Sequence, residues 1–160
     1  MKLRLAHTAV LLLSLWTAHS YAADAEADVN ALVQKHYSAY SAGSDPAAIL
    51  AQSTANNWQN CGANGEVCQT RDELVGALNG LFKLIPDLKW EVLETINTGD
   101  KIVVRGQGSG TPTGDFMGVP KTGKSFKIMS IDIHTLKDGK LAHTYHLEDW
   151  GTALKQLSGH

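Results

Sequence analysis

The chain has 160 residues, with 14 Lys and Arg against 16 Asp and Glu and a formal net charge of −2. A chain of this length suits one domain with one core and leaves no room for a second domain. The slightly acidic balance argues against nucleic acid as a partner, because nucleic acid selects a basic patch. The sequence has no run of like charges that would indicate a membrane-surface segment or a charged tail.

The first 23 residues have the layout of a secretory signal peptide. Lys2 and Arg4 precede an apolar stretch at 9–16, and small residues follow at 20, 22 and 23. This order is typical of a signal that is removed, and the apolar stretch is too short to span a bilayer. We therefore expect a mature single domain over 24–160 in the periplasm or outside the cell. An ordinary buried helix is the alternative, but it gives no reason for the basic start.

Three helices are predicted in the first half of the mature chain. Apolar and aromatic residues recur at three- and four-residue steps from 28 to about 43, which indicates an amphipathic helix. Asp45-Pro46 fits an N-cap followed by the first position of a short helix over 47–51. The sequence Thr-Arg-Asp-Glu at 70–73 fits a capping box, and the helix that it starts should end before Pro86.

Cys61 and Cys68 lie in a polar loop at 56–69, between the second and third predicted helices. Because an exported chain meets an oxidising compartment, we predict that they form a disulfide. A metal site is the alternative, but it needs more ligands, and the residues nearby are Gly, Asn and Gln. The sequence has no HExxH motif and no clustered acidic loop, so we expect no metal and no cofactor.

After Pro86 the hydrophobic period changes to two. This period predicts strands over 88–97, 101–111, 124–136 and 140–149. Helices followed by antiparallel strands predict an α+β fold in which three helices pack on the concave side of a curved sheet. Such a sheet should leave a pocket at its wide end. We expect the residues after 149 to form a short closing tail.

Asp149 is the first candidate for a catalytic residue. It ends the last predicted strand, and on strict alternation it shares a face with His143 and Tyr145. A carboxylate among Tyr, Leu and Trp loses hydration, which raises its pKa towards values useful for proton transfer. The alternative is that Asp149 caps the tail or pairs with a lysine.

A second polar set lies on the strand over 124–136, where Ser130, Asp132 and His134 alternate on one face. If this face points inward, Asp132 contacts the ligand and His134 can hydrogen-bond a substrate oxygen or Asp149. If it points outward, it is a solvated face, and a β-bulge would exchange the two. Further side chains expected to contact a ligand are Trp58, Phe82, Phe116, His143 and Tyr145.

Several segments resemble the SnoaL-like polyketide cyclase (ester cyclase) family. They are Pro-Asp-Leu at 86–88, Gly-Asp-Lys-Ile-Val-Val-Arg at 99–105, the glycine-rich stretch 110–124 and the segment 138–149. The resemblance implies the cone-shaped barrel of the nuclear transport factor 2-like superfamily, which includes scytalone dehydratase and ketosteroid isomerase. It also implies an aspartate general acid/base at the end of the last strand, without cofactor or metal, and Asp149 occupies that position. The chain departs from the family at Pro112, where members commonly carry a histidine.

Two functions remain open at this point. In the first, Asp149 moves a proton next to the carbonyl of a small apolar molecule, in a cyclase, isomerase or hydrolase reaction, and His134 or a tyrosine stabilises the oxyanion. In the second, the same pocket binds an apolar molecule in the periplasm without chemistry. We also expect that a homodimer could form through the outer face of the sheet.

Overall fold

The computed structural model describes residues 26–159, so the predicted signal peptide lies outside the described residues. The helices are α1 over 26–38, α2 Pro46–Ser53, α3 Arg71–Leu84 and α4 Trp150–Ser158. The strands are β1 Gln59–Gly62, β2 Cys68–Thr70, β3 Lys89–Asn97, β4 Lys101–Gly110, β5 Phe126–Lys137 and β6 Lys140–Glu148. The three predicted helices and the four long strands are confirmed. Within 26–159, no helix is long and apolar enough to cross a bilayer.

The predicted helix starts are present as hydrogen-bonded caps. The Asp45 carboxylate accepts from the backbone N–H of Ala48 at 3.1 Å, with Pro46 at the first helical position. Thr70 and Glu73 form the reciprocal capping box, in which the Glu73 carboxylate accepts from the Thr70 backbone N–H at 2.8 Å. These caps satisfy backbone donors that a helix end otherwise leaves without partners, which fixes where α2 and α3 begin.

The sheet has six strands in the order β2-β1-β6-β5-β4-β3, so β2 and β3 are its edges. Strand β1 runs parallel to β6 and all other neighbours are antiparallel. The expectation of a wholly antiparallel sheet is therefore wrong, because the segment predicted as a polar loop supplies β1 and β2. Cys61 and Cys68 are partners in the β1–β2 ladder, and they form the predicted disulfide.

The predicted closing tail is also wrong, because residues 150–158 form the helix α4. Asp149 is its N-cap, and Gly159 ends it in a left-handed conformation. Ala153 and Leu157 are buried where α4 packs against β5. A nine-residue segment is too short for its apolar spacing to stand out in the sequence, so its two buried residues gave a weak signal.

The core lies between the helices and the inner face of the sheet, and the glycines of β4 shape it. A Cβ atom on Gly108 would lie 2.3 Å from the Trp90 ring, and one on Gly106 would lie 2.7 Å from the Ser130 hydroxyl. The alternating glycines therefore leave room for the large Trp90 side chain of β3 on the inner face. The opposite, outer face exposes several large apolar side chains, which are Leu93, Ile96, Met129, Ile133, Tyr145 and Leu147.

Candidate active site

A cavity of about 300 Å³ lies between α1, α3 and the inner face of the sheet. Its wall is mostly apolar and includes Leu74, Leu78, Leu81, Leu88, Trp90, Phe116 and Trp150. The polar side chains that line it are Tyr37, Tyr40, Asn60, Gln69, Asp132, His146 and Glu148. A concave apolar pocket with few polar groups is the common form of a small-molecule site. The predicted pocket is therefore present.

The polar groups of the cavity come together because β5 and β6 present matching positions. Ser130 pairs with Glu148, Asp132 with His146, and His134 with Thr144. Partners directly opposite each other in an antiparallel ladder share one face of the sheet. Ser130, Asp132 and His134 are buried, so the face that the sequence left open is the inner one.

Asp132 is a buried carboxyl group at the cavity wall, with 8% of its surface exposed. Its Oδ2 accepts a hydrogen bond from the Tyr37 hydroxyl at 2.6 Å and a long one from the Ser130 hydroxyl at 3.4 Å. Burial raises the pKa of Asp132 to about 7; these hydrogen bonds oppose the rise and the charge of Glu148 adds to it. Near neutral pH, the group can therefore either take or give a proton.

Glu148 is a second carboxyl group in the same cavity, and it is partly buried. Its Oε2 accepts from the Trp150 indole N–H at 2.7 Å, and the His146 Nδ1 lies 3.9 Å from the same oxygen. Burial raises the pKa of Glu148 above its ordinary value. Two neighbouring carboxyl groups in an apolar site titrate together, because ionisation of one disfavours ionisation of the other. The pair can therefore hold one proton between them.

A chain of hydrogen bonds reaches Asp132 from the core, and its direction follows from its last member. The Tyr37 hydroxyl donates to Asp132, so it accepts from the protonated Nε2 of His134 at 3.2 Å. Nδ1 of His134 then accepts from the Thr144 hydroxyl at 2.8 Å, and that hydroxyl accepts from the Trp58 indole at 3.0 Å. Burial lowers the pKa of His134 to about 4, so the ring is neutral, as this chain requires.

Tyr40 is held by a second buried histidine, which here accepts the hydrogen bond. The Ser53 hydroxyl donates to the Ile49 carbonyl, so it accepts from His36 Nδ1 at 3.1 Å. His36 Nε2 then accepts from the Tyr40 hydroxyl at 3.2 Å. Burial lowers the pKa of His36 well below its usual value and raises that of Tyr40. Tyr40 is therefore a protonated phenol at the cavity wall.

The predicted position of Asp149 at the floor of the pocket is wrong. Its carboxylate is exposed, does not line the cavity, and accepts from the hydroxyl of Thr152 at 2.7 Å and from its backbone N–H at 3.0 Å. These two hydrogen bonds hold the pKa of Asp149 below its ordinary value. The capping role that the sequence offered as an alternative is the observed one.

A β-bulge explains this error. A regular ladder counted back from Leu136 and Leu141 would place Asp132 opposite Tyr145. The register instead shifts between Thr135 and Leu136, where Ala142 is the extra residue of β6. Asp132 therefore lies opposite His146. One extra residue exchanges the faces of everything that follows it in a strand. The inward carboxylate is therefore Glu148 and not the next residue.

The other predicted site residues divide into two groups. Phe116 and Asp132 line the cavity, while His134 and Trp58 are buried behind it and act through hydrogen bonds. The remaining three do not line the cavity. Phe82 is half-buried beside the core, and His143 and Tyr145 contact each other on the outer face. Their predicted contact with a ligand in this cavity is therefore wrong.

Sequence reasoning missed Tyr37, Tyr40, Asn60 and Glu148 as site residues. The helical periodicity from 28 to about 43 already placed the two tyrosines on one apolar face, so this pattern could have identified them. Asn60 and Glu148 had no comparable signal, because their orientation depends on a short strand and on a bulge. In the part of the chain that the structure describes, no three His, Cys, Asp or Glu side chains form a metal-binding group.

The chain matches the family described as SnoaL-like polyketide cyclase over residues 31–157. It belongs to this family. No curated protein matches the chain significantly. In this SnoaL-like protein, the carboxyl groups that face the cavity are Asp132 and Glu148, whereas Asp149 caps a helix.

Solved structures share the fold. TsrD from Streptomyces laurentii is 24% identical, with a TM-score of 0.71, and the match covers 84% of this chain and 97% of that one. A SnoaL-like polyketide cyclase from Agrobacterium tumefaciens is 16% identical, with coverage of 80% and 96% and a TM-score of 0.65. A Catenulispora acidiphila protein with a ketosteroid isomerase-like fold, in complex with trimethylamine, is 15% identical, with coverage of 79% and 91% and a TM-score of 0.65. The α+β fold of the nuclear transport factor 2-like type is thereby confirmed.

Proposed function

We propose that this SnoaL-like protein is a cofactor-independent enzyme that moves a proton next to the carbonyl group of a small apolar molecule. The observation that carries the proposal is the buried Asp132, whose pKa is raised to about 7 at the wall of an apolar cavity that also holds Glu148. Groups with a pKa near the working pH are the most effective general acids and bases.

In the proposed reaction, ionised Asp132 removes a proton from the carbon beside the substrate carbonyl. The C–H bond breaks, an O–H bond forms on Asp132, and the electron pair moves to the carbonyl oxygen. Protonated Glu148 donates a hydrogen bond to the resulting enolate oxygen. The enolate carbon then takes a proton back, or attacks a second carbonyl to close a ring, and Asp132 returns its proton to the new alkoxide. General acid–base catalysis of this kind contributes roughly 100- to 10,000-fold.

The surroundings of Asp132 support this assignment. Tyr37 and Ser130 both donate to Oδ2, whereas Oδ1 accepts no hydrogen bond from the described residues. Oδ1 is therefore available to contact the substrate. The apolar wall favours a substrate that is itself mostly apolar. Because the bonds from Trp58 through His134 fix the Tyr37 hydroxyl, the base is held in one position before a substrate binds.

Deuterium exchange tests the proposal. 1-Tetralone, a bicyclic ketone, carries exchangeable protons beside its carbonyl, and NMR in D2O measures their loss. We expect the wild-type protein to accelerate exchange and Asp132→Asn to lower the rate at least 100-fold. Asp149→Asn is the matched control, since that side chain lies outside the cavity, and it should keep the wild-type rate. Full activity in Asp132→Asn, or its loss only in Asp149→Asn, would show that Asp132 is not the base.

A periplasmic carrier of an apolar small molecule is the second candidate function. It is favoured by the position of Asp149, which is exposed and held by Thr152 rather than directed at a ligand. A carrier would bind apolar ketones in the cavity without accelerating exchange, and Asp132→Asn would leave the binding affinity unchanged. The same exchange experiment, combined with a binding titration, separates the two functions.

Export and self-association complete the proposal. The Cys61–Cys68 disulfide supports maturation in an oxidising compartment, as expected after removal of 1–23. The outer face exposes large apolar side chains and also carries both charge signs in the pair Arg105–Glu94. Two copies related by a two-fold axis could therefore bring apolar side chains and opposite charges together. The mass of the mature chain and its molar mass in solution test these two points.

A further inference from the structure

The hairpin of β1 and β2 places two amide side chains at the cavity wall. Asn60 and Gln69 are partners in the ladder, and both line the cavity. The next ladder pair is Cys61 and Cys68, which the disulfide joins. The cross-link therefore holds the backbone immediately beside both amides.

Asn60 is exceptional among the polar side chains of the cavity. Only 3% of its surface is exposed, and its Oδ1 is buried without a hydrogen-bond partner among residues 26–159. Tyr37, Tyr40, Asp132 and Glu148, in contrast, all have hydrogen-bond partners within the protein. A buried amide that lacks partners is unfavourable and calls for a specific explanation. Because the Asn60 side chain also lines the cavity, a reorientation of its amide would let a ligand group there supply the missing bond.

We propose that Asn60 determines specificity by hydrogen-bonding a hydroxyl group of the ligand, which rests on the proposed function of the same cavity. A carboxamide both donates and accepts, and so does a hydroxyl group, so the pair matches in either orientation of the amide. Gln69 can contact the same group from the neighbouring strand.

The sheet fixes where this hydroxyl must lie relative to the reacting carbonyl. Asn60 is opposite Thr144 on β6, and Asp132 is on β5, two strands away from β1. Two strand spacings amount to roughly 10 Å. The ligand that fits is an apolar ketone with its carbonyl at Asp132 and Glu148 and a hydroxyl group at its far end.

Two matched probes test this inference. 6-Hydroxy-1-tetralone carries the distant hydroxyl group, and 6-methyl-1-tetralone replaces it with a methyl group of similar size. We expect the wild-type protein to bind the hydroxy compound about tenfold more tightly, as one hydrogen bond to a buried group allows. Calorimetric titration measures both affinities. Equal affinities in the wild-type protein, or binding of neither probe, would overturn the inference.

Variants then assign the preference to one side chain. Asn60→Leu should bind the two probes equally, while Gln59→Leu, an exposed change on the same strand, should keep the preference. Cys61→Ser with Cys68→Ser should weaken the preference and leave the affinity for the methyl probe nearly unchanged. A preference that survives in a folded Asn60→Leu variant would place the hydroxyl site elsewhere.

The proposed function and this inference fail in different measurements. If the hydroxy probe is preferred but its protons beside the carbonyl exchange no faster than in buffer, the enzyme proposal fails and the Asn60 site stands. If 1-tetralone exchanges rapidly but the hydroxyl group brings no gain in affinity, the Asn60 site fails and the enzyme proposal stands.

Discussion

Replacement of Asp132 by Asn should stabilise the protein, and the gain should depend on pH. The pKa of this carboxyl group is about 7 in the folded protein and 3.8 as its ordinary value. The unfolded chain therefore releases the proton first as the pH rises, and folding stability falls between about pH 4 and pH 7. Asn has nearly the same shape, and its side-chain carbonyl can still accept from Tyr37, but it never carries the buried charge.

The size of this effect follows from the two pKa values. Each tenfold change in acidity corresponds to about 1.4 kcal/mol, so the difference amounts to about 4 kcal/mol above pH 7 as an upper value. At about pH 3 and below the contribution of Asp132 disappears, because the carboxyl group is then mostly protonated in both states. For a domain of this size, 4 kcal/mol corresponds to a rise in Tm of roughly 10 °C.

Urea unfolding from pH 4 to pH 8, followed by circular dichroism on both proteins with the disulfide intact, measures this difference. The variant should have the higher free energy of unfolding. Its advantage over the wild type should grow as the pH rises and level off above pH 8. All other carboxyl groups are common to the two proteins, so their effects largely cancel. A constant difference across this range, or a variant that is less stable at pH 8, would refute the raised pKa of Asp132.

Three further predictions follow from the same contacts. Thr144→Val removes the hydroxyl group between Trp58 and His134 and should lower the free energy of unfolding by about 2 kcal/mol in urea titration, whereas Thr144→Ser should lose less than half of this. Tyr37→Phe removes a donor to ionised Asp132, so the midpoint of the pH–rate profile for deuterium exchange should move up by about one pH unit. Gly108→Ala should lower the Tm markedly because its Cβ meets the Trp90 ring, while Gly76→Ala, which meets no atom within 4 Å, should not.

Much of the fold could be predicted from the sequence because local signals were strong. Two helix starts are marked by hydrogen bonds that need only neighbouring residues. They are the capping box at Thr70 and Glu73 and the Asp45 cap, which Pro46 follows. The long strands β3 to β6 have a clear period of two. Strands β1 and β2 have only four and three residues, too few for such a pattern. Their position depends on pairing with β6, which is a non-local contact.

The site could be predicted only in part, because polar side chains face the interior and apolar side chains face the solvent in this part of the sheet. On β5, buried Asp132 alternates with exposed Met129 and Ile133, although apolar residues usually face the core. Sequence reasoning could therefore name Asp132 and His134 but not decide their direction. The bulge at Ala142 then reversed the assignment on β6 and favoured Asp149 over Glu148.

The bond from Tyr37 to Asp132 joins residues that are 95 positions apart in the chain. His36 and Tyr37 belong to α1 and Tyr40 lies in the turn that follows it, while both carboxyl groups belong to the final third of the sequence. Neither end of the polypeptide holds a working arrangement alone, so the proposed base acquires its setting only when the first helix docks on strands that are synthesised last. Reactivity is thereby tied to completion of the fold, and a partly folded chain should carry an Asp132 that titrates as an ordinary, solvated carboxylate.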